Sequence, residues 1–177
     1  MNSMKNLLLI LASICFIIVI GGAVYEHIAV IPKWSAAPPR SLSMFQGEYG
    51  LHAEYFWMSI HPITLLFMIS ALIANWKNSR RKNILIVLGS YVLILVITSI
   101  YFVPELIEIF GTTYQDTIDE GLVERASLWE TLSLIRLVFL FVLAYILLNA
   151  LTKPIAVVVV PQPTSVPLSY PNDSMGG

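Results

Sequence analysis

Four long apolar runs, separated by short polar stretches, constrain this chain more than any other feature. Each reaches the roughly 20 apolar residues that an α-helix needs to cross the hydrocarbon of a bilayer. They fall at about 6 to 31, 56 to 76, 84 to 109 and 127 to 151. Backbone groups in lipid must bond internally, so runs of this kind become helices. Hydrophobic residues make up 57% of the 177 and charged residues only 12%, too few to clothe a soluble surface. The sequence predicts an all-α membrane protein, an antiparallel bundle of four transmembrane helices over 1–153 with a proline-rich, extended or disordered tail over 154–177.

The charges set an expected topology. Lys77, Arg80, Arg81 and Lys82 crowd the second connection without an acid, which puts it in the cytoplasm by the positive-inside rule. Lys5 and Lys153 agree, so both termini are expected in the cytoplasm of a multi-pass cell-membrane protein. Ten of the eleven acidic residues then lie at or near the outer face, with Asp173 alone inside. The first run is too long for a signal-peptide core and lacks a small-residue cleavage site, so it reads as a retained helix. Its lone Cys15 reads as a small packing residue. The basic cluster is spoken for by topology, which leaves nucleic-acid binding without support and makes the bilayer, including its anionic head groups, the expected partner.

Arg136 lies inside the fourth run, where an ion is costly and marks a functional site by default. Residues three, four or seven apart share a helix face. Trp129, Ser133 and Arg136 share one, as do Tyr101, Glu105 and Glu108; Glu54, Trp57 and His61; and Gly22 and Glu26, with His27 turned aside toward the interface. At about 1.5 Å per residue these stripes come to similar depths, which predicts a polar pocket open toward the outer side. Ser127 with Glu130 reads as the capping box that starts the fourth helix. Pro62 and Pro104 predict bends. The loop from Pro32 to Tyr55 predicts a cap on the bundle or in the interface.

Imidazole with carboxylate is ordinary chemistry for a transition metal, and histidines also hold haem. His61, Glu26 and His27 are therefore the candidate metal ligands, and Tyr101 and Glu108 candidate contacts for a cofactor of unknown identity. Arg136, Glu105 and Trp129 are the candidate catalytic residues. HExxH, CxxC and the Glu-x-x-His pairs of di-iron bundles are all missing. Three readings stay open: a structural ion pair of Arg136 with Glu105 or Glu26, a metal or cofactor site, and a pocket for an organic ligand.

A first helix with Gly21-Gly22 that ends at Pro32, and a last helix that opens Arg125-x-x-x-Trp129 and continues to Arg136, resemble the anthrone oxygenase-like family of small four-helix membrane proteins. The resemblance covers 6–151 and implies oxidation of an aromatic or other lipophilic substrate within the membrane, with Trp129 and Arg136 as the positions that carry over. The loop with His52 and the tail depart from the pattern. The expected function is that of an oxidoreductase acting on a lipophilic small molecule. The alternative is a non-catalytic subunit, fixed by a buried ion pair, that docks on another membrane subunit or on a second copy of itself.

Overall fold

The computed structural model describes residues 2–154. Four helices carry the chain: α1 (Asn2–Trp34), α2 (Glu54–Ala74), α3 (Arg81–Phe110) and α4 (Glu120–Thr152), each long and apolar enough to cross a membrane. No strand occurs among the described residues. Large apolar side chains such as Ile14, Leu66, Leu93 and Phe139 stand exposed along them, as lipid-facing surfaces require. The proline-rich tail from 155 onward lies outside the described residues.

Two helices change gauge near their ends. A π-helical turn spans Glu26–Val30 in α1, just before Pro32, and a second spans Thr98–Phe102 in α3, just before Pro104. Proline lacks an N–H and crowds the carbonyl four residues back, here Ile28 and Ile100, and a widened turn accommodates both defects. Pro62 has no such turn, and α2 runs through it as α-helix.

The start of α4 corrects the sequence reading. Ser127 is not the cap: the helix begins two turns earlier, where the Asp119 carboxylate accepts from the Leu122 N–H at 3.1 Å. Aspartate satisfies an orphan donor as well as serine does, and it arrives first along the chain.

Each helix packs against its two sequence neighbours in a ring, α1 also closing against α4. The α1–α2 seam is tight because a Cβ on Gly22 would stand 2.5 Å from the Phe56 ring. At the end that carries both termini, Arg80 stitches the ring shut. Its Nε donates to the Lys153 carbonyl at 3.0 Å, Nη1 to Asn6 at 2.6 Å and Nη2 to the Leu151 carbonyl at 3.2 Å. A cation on the orphan carbonyls of α4 satisfies them and complements the helix dipole. Lys153 Nζ donates to Asn83 at 2.7 Å, and Asn75 Nδ2 donates to the Lys5 carbonyl at 3.4 Å.

The opposite, loop end is stoppered. The first loop folds through a 3-10 turn (Arg40–Phe45) and buries Leu42 completely. Trp34, Trp129, Phe102 and Ile109 form an apolar cluster around it, with Phe45 stacked on Phe110 at 4.1 Å. Burial of a leucine is worth about 2 kcal/mol, which helps hold the loop down. Glu26, His27, Thr98, Ser133 and Arg136 fall along their helices between this plug and the main core around Phe16, Met68 and Tyr91.

Candidate functional site

Arg136 sits in that intermediate layer without a carboxylate. Its Nη1 donates to Thr98 Oγ1 at 3.0 Å and its Nη2 to Ser133 Oγ at 2.9 Å, and the guanidinium lies 4.1 Å from the centre of the Phe102 ring. Neutral hydroxyls and a ring face stabilise a cation without cancelling it. The three ion pairs among the described residues are His52–Glu54, Arg125–Glu105 and Arg125–Glu108, so the expected pairing of Arg136 with Glu26 or Glu105 is not formed. Arg125 takes Glu105 and Glu108 instead, each at 2.7 Å. It is the closer cation because Arg136 is level with Thr98, and Glu105 stands seven residues, roughly 10 Å of helix rise, further along α3.

A groove of about 250 Å³ between α3 and α4 has walls of Tyr101, Phe102, Leu132 and Phe139 and includes Arg136, though the surface it presents is almost wholly apolar. Two of the five guanidinium donors are used by protein hydroxyls, which leaves three without a protein acceptor among the described residues. Tyr101 is thus beside Arg136, whereas Glu105 and Glu108 are drawn to Arg125. Trp129 is buried in the plug, its indole N–H donating to the Phe102 carbonyl at 3.0 Å. It holds the ring under Arg136 and does not line the groove.

The three expected metal ligands are near one another in sequence depth but engaged separately. Glu26 Oε1 accepts from the Trp57 indole at 2.7 Å. His61 Nδ1 shares a 2.7 Å hydrogen bond with the Tyr91 hydroxyl and stacks on Trp57. His27 Nδ1–H donates to the Ala23 carbonyl at 2.8 Å, which leaves Nε2 as a bare acceptor in the neutral ring, buried and without a partner. No three His, Cys, Asp or Glu side chains among the described residues converge as a metal requires. The donor set therefore does not fit a resident metal ion.

Tyr91 and Thr98 escaped the sequence reading, although a signal was there. Residues 91, 98 and 105 are seven apart, so extending the Tyr101–Glu105 stripe backward reaches both hydroxyls. The polar stripes do not meet in one pocket: Gly22 and Glu26 line a groove that reaches the loop end through Leu51, His52 and Ala53, and Tyr101 and Arg136 line another between α3 and α4.

The site and fold define the chain as a helical protein with four spans fit for a membrane and a polar layer between two apolar cores. No family, curated protein or solved structure matches it.

Proposed function

We propose that the chain is a multi-pass protein of the cell membrane, an antiparallel bundle with both termini cytoplasmic, which takes a lipophilic molecule sideways and holds its anionic or carbonyl head on Arg136. The observation that carries this reading is a guanidinium without an acid at the back of an aromatic groove. A charge kept in such a place without an ion-pair partner stabilises negative charge brought or developed there. The acid-free cluster from Lys77 to Lys82 supports the sidedness.

The chemistry we assign is oxidation of an aromatic or similarly conjugated substrate by dioxygen, a ring methylene becoming a carbonyl with one oxygen atom retained and the other released as water, in line with the anthrone oxygenase-like resemblance. Arg136 would hold the substrate's oxyanion and Tyr101 would flank it, while Trp129 would fix the Phe102 ring beneath the guanidinium. His61, hydrogen-bonded to Tyr91, is the candidate proton acceptor of the same layer. A docking subunit held by an Arg136 ion pair receives less support, since the pair that forms is the half-exposed one of Arg125.

The test is protein in lipid nanodiscs with anthrone under air, followed by optical spectra. Binding and oxidation in the wild type, loss of both in Arg136→Gln, and binding without turnover in His61→Gln are the expected results. Wild-type protein that neither binds nor oxidises anthrone would return the chain to the docking-subunit reading.

A further inference from the structure

A larger groove, about 590 Å³, opens on another side of the bundle between α1 and α2, lined by Ile18, Gly21, Tyr25, Glu26, His52 and Phe56 among others. Its volume is in the range of roughly 300–1,000 Å³ that holds one drug-sized molecule. The two adjacent glycines serve different ends there. A Cβ on Gly22 would collide with Phe56, whereas one on Gly21 would meet nothing within 4 Å. The absent side chain of Gly21 is part of what keeps the groove empty.

The charge of this groove is opposite to that of the Arg136 groove. Glu26 gives Oε1 to the Trp57 indole, while Oε2 has no partner among the described residues and is not sealed off. No lysine or arginine lines the groove, and none forms an ion pair with Glu26. At the rim, the exposed His52 Nδ1–H is committed to Glu54 at 2.7 Å. A carboxylate oxygen among apolar side chains calls for a donor, and in low dielectric for a cationic one.

We propose that this groove is a second binding site, for a lipophilic ammonium compound whose N–H donors meet Glu26 Oε2 and whose apolar chain lies along Ile18 and Gly21. The residues that line it are not those of the Arg136 groove.

The experiment is equilibrium binding of radiolabelled decylammonium to the full chain in nanodiscs of zwitterionic lipid, corrected for empty nanodiscs. Saturable binding is expected, displaced by unlabelled decylammonium and not by decanol or decanoate. Glu26→Gln, which removes a charge-assisted hydrogen bond, and Gly21→Leu, which fills open space, should each weaken it at least about tenfold. Ile135→Ala, which lines only the other groove, should bind as the wild type does. Circular dichroism and a thermal melt establish that Glu26→Gln and Gly21→Leu are folded, so a loss of binding in either is a loss at the site. Undiminished binding to folded Glu26→Gln or folded Gly21→Leu, equal displacement by decanol or decanoate, no binding above empty nanodiscs, or loss confined to Ile135→Ala would each overturn it.

Discussion

Arg80 and Arg136 lie at opposite levels of the same bundle and are handled in opposite ways. Arg80, at the terminal end, is 5% exposed and spends its donors on Asn6 and on the last carbonyls of α4. Arg136, in the loop half, finds only two hydroxyls and a ring, and its flank is open to a groove. Both are charges in an apolar chain, so composition cannot separate them. What separates them is whether protein acceptors saturate the guanidinium: a saturated one joins helices, and an unsaturated one is available to a ligand.

The sharpest way to break that contrast is to truncate both. Arg80→Ala should lower unfolding free energy in detergent by about 3 kcal/mol, because several charge-assisted hydrogen bonds go at once. Arg136→Met should fall within about 1 kcal/mol of the wild type, or above it, since it replaces an ion lacking a carboxylate partner with an apolar chain of similar length. Equal losses in a denaturant titration would abolish the distinction.

Smaller effects sharpen it within the loop half. Gly22→Ala should cost about 2 kcal/mol through the clash with Phe56, and Gly21→Ala next to nothing, read as the difference between two thermal melts. Asp119→Ala should cost about 1 kcal/mol by unpairing the Leu122 N–H, while Ser127→Ala, at the position expected from sequence to be the cap, should stay within about 0.5 kcal/mol. Smallest is Arg125→Gln. Its side chain is 40% exposed, so the loss should be under about 1 kcal/mol and should shrink further in high salt.

The four spans were legible because length and apolarity are local properties, and only their ends moved. Helix rise puts Glu26, His61 and Glu105 at similar depth in the sequence and Arg136 deeper, and that difference was legible. Partner choice was not drawn from it: Arg136 meets Thr98, and Glu105, seven residues further along α3, goes to Arg125. A metal triad was expected because histidine and carboxylate types suggested one. Residue type says nothing of Trp57, Tyr91 and the Ala23 carbonyl, which engage those groups first. The Arg80 clamp was hidden for a related reason, as Arg80 had already been explained by topology.

The plug of Trp34, Leu42 and Phe110 has a thermodynamic consequence for how any ligand should be measured. With the loop end stoppered and the Arg136 groove walled only by side chains of α3 and α4, a visitor to that groove in a bilayer would first dissolve among acyl chains. Occupancy then follows the mole fraction of that molecule in lipid, not its molarity in buffer. Adding empty vesicles at fixed total ligand should strip the protein, whereas doubling the buffer volume around a strongly partitioned compound should leave occupancy almost untouched.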